Sequence, residues 1–225
     1  MYTISDLYDL SHTLARDYLS QFTYPWEALS GLKAFIAQLG ETLPESEYVQ
    51  TAPQVWVHRT ATVAPTAYVG APCIIGPETE VRHCAFIRGA ALVGAGCVVG
   101  NSVELKNVIL FDAVQPPHYN YVGDSILGYK AHMGAGSITS NVKGDKTPVT
   151  VRFGEEAIPT GLKKMGVMLG DHAEIGCNSV LNPGTLIGPR AQVYPLSSVR
   201  GTVPADCIYK RQGKVVEKRE IAAQP

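Results

Sequence analysis

The sequence predicts a mainly β protein, a parallel β-helix wound from six-residue repeats. Three observations predict it. An apolar residue recurs at every sixth position as Val57, Val63, Val69, Ile75, Val81, Ile87, Val93, Val99, Leu105 and Phe111. A second run, Leu169, Ile175, Leu181, Ile187, Val193 and Val199, keeps the period, and Val122, Leu127, Met133 and Thr139 bridge the two. Glycine often follows the apolar residue in phase, as at Gly70, Gly76, Gly94, Gly100, Gly170, Gly176 and Gly188. Neither the helical nor the strand period produces this pattern.

Three hexads close one triangular coil with a short strand on each side. Coils stack at the inter-strand spacing of about 4.8 Å. The apolar positions then form three inner ladders: Val57–Ile75–Val93–Phe111, Val63–Val81–Val99 and Val69–Ile87–Leu105. Most are β-branched, which suits a packed, pleated wall. The glycines are expected to serve the turns at the corners.

Residues 1–50 follow another pattern, and two amphipathic helices are expected there. Ile4, Leu7, Leu10, Leu14 and Tyr18 recur at helical spacing. A second helix starts at Pro25, presents Leu29, Leu32, Ile36 and Leu39, and stops at Gly40. The β-helix is assigned to residues 51–204, with an inserted arm at 143–166. Within that arm, the segments flanking Gly154-Glu155 predict a hairpin, and Lys143, Lys146, Arg152, Lys163 and Lys164 make it basic. Residues 205–225 predict a small hairpin across Gln212-Gly213.

The formal net charge of −1 leaves no bulk field to draw the chain onto nucleic acid or membrane. No apolar run reaches the roughly 18 residues of a membrane span. The N-terminus lacks the basic and apolar regions of a signal peptide, so a cytoplasmic location is expected. The five cysteines show no zinc-type spacing, and no metal is expected.

Two interruptions of the repeat carry chemistry. Arg88 and Lys106 lie three hexads apart, each directly after an inward apolar residue. They therefore share a corner in adjacent coils, where one coil earlier stands Gly70. Stacked cations repel, and an anion such as a phosphate would relieve them. Next, Pro116-Pro117-His118-Tyr119-Asn120-Tyr121 breaks the hexad. The hexads starting at Val122, Leu127 and Met133 make a local coil one residue short of three full hexads, which places His118 beside Ala135. A histidine beside a glycine-flanked N–H supplies a general base and an oxyanion donor for acyl transfer.

The stretch Gly100-Asn101-Ser102-Val103-Glu104-Leu105-Lys106, then His118, Tyr121-Val122-Gly123-Asp124 and Gly134-Ala135-Gly136-Ser137-Ile138-Thr139-Ser140-Asn141, carries a specific resemblance. It resembles the acetyltransferase half of the bifunctional glucosamine-1-phosphate acetyltransferase / N-acetylglucosamine-1-phosphate uridyltransferase family. The resemblance implies a left-handed β-helix, a homotrimer, and acetyl transfer from acetyl-CoA to an amino-sugar 1-phosphate. It implies that Arg88 and Lys106 hold the phosphate, that His118 is the base and that the Ala135 N–H meets the oxyanion. Glu104 would orient His118 or the amine, while Tyr121, His132, Asn141 and Lys146 would line the sugar site. Acetyl-CoA would run past Ala135, Cys177 and Pro195, between subunits.

The chain departs from the family at His132 in place of asparagine, Val142 in place of an aromatic residue, and Cys177 in place of serine. A glycine-rich nucleotide loop is not found in residues 1–50, so a separate nucleotidyltransferase is left open as a partner. Two other readings remain open: a non-catalytic or regulatory β-helix subunit, and a γ-type carbonic anhydrase. The latter needs three ligating histidines, for which His83, His118 and His132 have the wrong spacing.

Overall fold

The computed structural model describes residues 1–210 and 214–218. From Val55 onward the chain winds into a parallel β-solenoid with three faces. The inner ladder of the first face runs Val57, Ile75, Val93, Leu110, Leu127, Leu169, Ile187 and Val203. On the second face Val63, Val81 and Val99 stack, and later Met133, Ile175, Val193 and Tyr209. On the third face Val69, Ile87, Leu105 and Val122 stack, then Thr139, Leu181 and Val199. Nearly all of these side chains are fully buried; the exceptions are Val57, Val63 and Val69 in the first coil, where the stack ends. Each fully buried aliphatic side chain contributes about 1.5–3 kcal/mol.

One expected ladder member is displaced. Val93 pairs with Leu110, not with Phe111. Leu105 still stacks on Ile87, three full hexads back, but Val108 stacks on Ala91, one position short of that. The slip lies at the corner between the third and first faces. There Asn107 (φ 57°) stands alone where the previous coil has both Gly89 and Ala90. Phe111 moves onto the corner and is buried against Tyr8, with ring centroids 5.1 Å apart.

The glycines also differ from expectation. The left-handed corner residues are mostly not glycine: Cys84, Ser102, Tyr119, Asn178 and Leu196 have positive φ at one corner. Gly76 and Gly100 have ordinary φ and are required for space. A Cβ on Gly76 would lie 2.5 Å from the Gly94 carbonyl oxygen, and one on Gly100 would collide with Pro117.

The N-terminal segment does not form the first expected helix. It breaks into short turns at Ile4–Leu7, Leu10–His12 and Arg16–Leu19. Two of its carbonyls are committed to the solenoid: Leu7 accepts from the Asp171 N–H and His12 from the Asp112 N–H, both at 3.0 Å. The His12 ring stacks on Tyr129, with centroids 3.6 Å apart. Leu14 is accordingly exposed, while Ala15 and Leu19 are buried. The second expected helix is a 3₁₀ turn, Pro25–Leu29, followed by an α-helix, Leu32–Gly40, and it ends at Gly40 as expected.

The arm forms the hairpin Thr150–Phe153 with Glu156–Pro159, and Val149 and Val151 are buried beneath it. At the C-terminus Cys207–Tyr209 pairs antiparallel with Val215–Glu217. The turn predicted at Gln212-Gly213 lies outside the described residues. Among the described residues no helix is long and apolar enough to cross a membrane, which does not bear on membrane β-barrels.

The helix Leu32–Gly40 sits so close to the first coil that a Cβ on Gly40 would collide with the Trp56 ring. Trp56 is itself buried. Gly40→Ala is therefore expected to cost about 1–3 kcal/mol of stability through overpacking. At about 2–4 °C per kcal/mol for a chain of this size, thermal unfolding will show the loss as a clear fall in Tm.

Candidate functional site on the third face

The third face is bounded by two corners, and the register decides what stands on each. On the corner before it, His83, Asn101, His118, Ala135, Cys177 and Pro195 form one column. Asn101 bridges His118, and its side-chain amide donates to the His83 carbonyl at 2.9 Å. The His118, Ala135 and Cys177 carbonyls accept from Gly136, Asn178 and Leu196, one coil on in each case. The expectation that His118 lies beside Ala135, with Cys177 and Pro195 further along, thus matches the backbone geometry.

His118 is exposed, and its backbone N–H donates to the Asn120 side chain at 3.1 Å. Asn120 is buried and reaches the Gly134 carbonyl and Ser137. That anchors the loop carrying His118 to the next coil. Among the described residues, the His118 imidazole has no hydrogen-bond partner, and the Ala135 and Cys177 N–H groups donate to no atom.

On the corner after the face, Gly70, Arg88, Lys106 and Gly123 stack in register. The two cations are adjacent, as the spacing predicts, but their charge is already answered by the protein. The Arg88 guanidinium donates to Glu104 at 2.8 Å. The Lys106 ammonium reaches both Asp124 oxygens, at 2.8 and 3.0 Å. The Glu104 hydrogen bond and charge hold the Arg88 pKa above its ordinary value.

Two expectations meet different surroundings. Glu104 is held by Arg88 and makes no hydrogen bond to His118 among the described residues, so the orienting role expected for it has no contact behind it. His132 stands on the second face, where its Nδ1 lies 2.9 Å from Glu174. It is turned away from the face that carries Arg88, because the strand His132–Met133 precedes the corner at Ala135.

Tyr121 and Asn141 are brought together as expected. The Asn141 amide donates to the Tyr121 hydroxyl at 3.1 Å and to Asp124 at 2.5 Å. Burial, together with Asp124 and Glu104 nearby, raises the Tyr121 pKa. Lys146 is exposed on the turn Lys143–Lys146, away from these contacts.

The residue that joins this network is Asp124, to which no role was assigned from sequence. It is buried with φ 49°, at the shortened corner one coil above Asn107. Its carboxylate accepts from Lys106, Asn107 and Asn141. The signal lay in the shortened coil: Asp124 follows Asn107 by one residue less than three hexads, the same spacing that sets Gly123 on Lys106 and Ala135 beside His118.

No family model matches the chain. It is similar to a bifunctional sugar-1-phosphate nucleotidylyltransferase/acetyltransferase of Sulfurisphaera tokodaii, with 33% identity over 91 residues, 40% of this chain and 23% of that one. It is 28% identical over 116 residues to the bifunctional protein GlmU of Methanococcus maripaludis, covering 51% of this chain and 28% of that one. It is 34% identical over 92 residues to a putative uncharacterized acetyltransferase, YaiX, of Escherichia coli, covering 41% and 40%. The matched part spans about a quarter of the two bifunctional relatives. Among solved structures, a putative acetyltransferase of Bacillus cereus has 18% identity and a TM-score of 0.41, covering 74% of this chain and 78% of that one.

All three groups that meet Asp124 are donors, so an amide there would set an NH₂ against them. Asp124→Asn is expected to destabilise nearly as much as Asp124→Ala, each by about 1–3 kcal/mol. Denaturant unfolding of the two variants checks this, and a wild-type midpoint for Asp124→Asn would refute it. By sequence, this chain resembles the acetyltransferase half of the bifunctional sugar-1-phosphate nucleotidylyltransferase/acetyltransferases.

Proposed function

We propose that the protein transfers an acetyl group from acetyl-CoA to the amine of an amino-sugar 1-phosphate, glucosamine-1-phosphate or a close relative. The observation that carries this is the pairing of edges on one face. A histidine with an unengaged imidazole and an outward N–H stand on one corner, and two stacked cations stand on the other. The chain from His118 to Gly123 spans at most about 17 Å when extended. A substrate of that length held on this face would meet both corners.

In this reading the sugar phosphate sits at Lys106 and Arg88, with Tyr121 and Asn141 against the ring. The amine attacks the thioester carbonyl while the His118 imidazole takes its proton. The Ala135 N–H donates to the oxyanion as it forms. Collapse of the tetrahedral centre forms the amide and expels the CoA thiolate, which recovers the proton from His118. The Cys177 N–H and the Pro195 step extend the same column and would line the pantetheine arm. A homotrimer, in which a second copy closes this open face, completes the proposal.

The two phosphate contacts differ in freedom. Arg88 and Glu104 are both substantially exposed, whereas Asp124 is buried beside Lys106. Arg88 can leave Glu104 for a ligand phosphate, and Lys106 stays fixed.

Release of CoA thiol, measured with glucosamine-1-phosphate, galactosamine-1-phosphate and the free amino sugars, tests the reading. Turnover with a sugar phosphate is expected, and His118→Ala should lower kcat by about 10²–10⁴-fold. An unchanged rate in that variant, or no turnover with any sugar phosphate, sinks the proposal. Arg88→Ala should raise KM for the phosphorylated sugar and leave the free sugar unaffected.

Cysteine alkylation provides a footprint. Cys84 and Cys177 are exposed, whereas burial raises the Cys73 thiol and pushes Cys97 up to about 12. Reagents for the thiolate should therefore label Cys84 and Cys177 in the native protein. Acetyl-CoA is expected to protect Cys177 and spare Cys84, as read by mass spectrometry.

A further inference from the structure

The corner that carries Arg88 and Lys106 continues upward through Gly123, Ser140 and Asn182 to Arg200. At its upper end the inserted arm encloses a second basic site. Lys143, Thr150, Arg152, Gly184, Arg200 and Gly201 line a cavity of about 300 Å³. Lys143 and Arg200 also line an adjoining hollow with Asn182 and Val142. Arg152 and Arg200 form no ion pair among the described residues. Lys143 is shared with Thr147 and Asp145, at 2.5 and 3.4 Å. Three cations thus face one concavity with a single carboxylate at its margin.

The wall of this cavity is preformed. The Arg152 carbonyl accepts from the Thr202 hydroxyl at 2.7 Å, which ties the hairpin to the coil. Gly184 (φ +80°) lets the arm lie directly on the corner, since a Cβ there would meet Val149 at 2.7 Å. Because the backbone is already tied down, binding has only the side chains to order.

We infer that this cavity is a binding site for a diphosphate group. Two guanidinium forks match phosphate oxygens bidentately, and the ammonium adds a point charge. A lone carboxylate would leave the three cations under-compensated, whereas a diphosphate carries enough charge to balance them. The site is separate from the Arg88–Lys106 pair. Four coil steps from Lys106 to Arg200, at about 4.8 Å each, place the two roughly 19 Å apart, too far for one diphosphate to bridge. The inference does not rest on the acetyl-transfer reading.

Calorimetric titration with inorganic pyrophosphate at low salt tests it. An Arg88→Ala background removes the cation of the lower pair that is free to leave its partner, and Lys106 stays bound to Asp124. That protein is expected to bind one pyrophosphate per chain. Adding Arg152→Ala and Arg200→Ala should weaken binding at least tenfold, and Arg152→Lys with Arg200→Lys should restore part of it. The substituted side chains are exposed, and an unchanged Tm establishes that the fold persists. No binding to the Arg88→Ala protein at millimolar pyrophosphate, or equal binding to the Arg152→Ala/Arg200→Ala protein, overturns the inference. Parallel titrations with UDP and with CoA distinguish the source. A tenfold loss for UDP alone assigns the site to a nucleoside diphosphate, and a loss for CoA alone assigns it to the cofactor's diphosphate. No loss for either, together with no loss for pyrophosphate, leaves no diphosphate site.

Discussion

The stacking register of the coils is the constraint on which everything else depends. A parallel ladder places each residue on its counterpart one coil earlier, and the inner apolar rungs hold it there. A one-residue slip along a strand would turn every buried side chain outward, so the slip is confined to a corner. Asn107 replaces the pair Gly89-Ala90 at that corner, and the ladders on either side continue unbroken. The same shortening lifts Asp124 over Asn107 and beside Lys106. It also displaces Phe111 from the ladder to the corner, where Tyr8 covers it. One deletion in the repeat thus shapes the candidate site and helps seat the N-terminal segment.

This explains which features were legible in the sequence. Positions separated by whole coils, such as Val57 and Ile75 or Arg88 and Lys106, are related by arithmetic alone. His118 beside Ala135 followed from the same arithmetic once a shortened coil was recognised. Phe111 leaves its expected rung because periodicity does not show where within a coil the missing residue falls. The N-terminal stripe departs from a helix for another reason. A segment that gives its carbonyls to a neighbouring solenoid, as Leu7 and His12 do, has fewer to give to a helix of its own. Helical spacing of Ile4, Leu7 and Leu10 then reflects contact with coils rather than a continuous helix. The cavity at Arg152 and Arg200 joins an inserted arm to a corner two coil steps beyond the point where the arm leaves the solenoid, a pairing no repeat encodes.

The charge arrangement on the corner shows how the scaffold tolerates like charges at adjacent rungs. Arg88 and Lys106 face one another across a single coil step, yet each meets a carboxylate from a different place in the chain. Glu104 lies on the same strand as Lys106 and answers Arg88 across the step. Asp124 comes from the coil above and answers Lys106 from beneath the surface. Removing either carboxylate would leave one of the two cations unanswered. A phosphate arriving there replaces an exposed partner, Glu104, more readily than a buried one, because the buried carboxylate is also held by Asn107 and Asn141.

A difference between the two basic sites follows from that arrangement. At Arg88 the resident carboxylate must be displaced, so a ligand gains only the difference between its own hydrogen bonds and those of Glu104. At Arg200 and Arg152 no such partner is in place among the described residues, and a ligand gains the full charge-assisted bond. That weaker gain fits the role proposed for the lower site, whose phosphorylated substrate must also leave as product. Lys106 and Arg200 lie on one corner because the solenoid repeats in a single direction, so the distance between these two residues is set by the number of coils, while the arm adds Lys143 and Arg152 to the upper site.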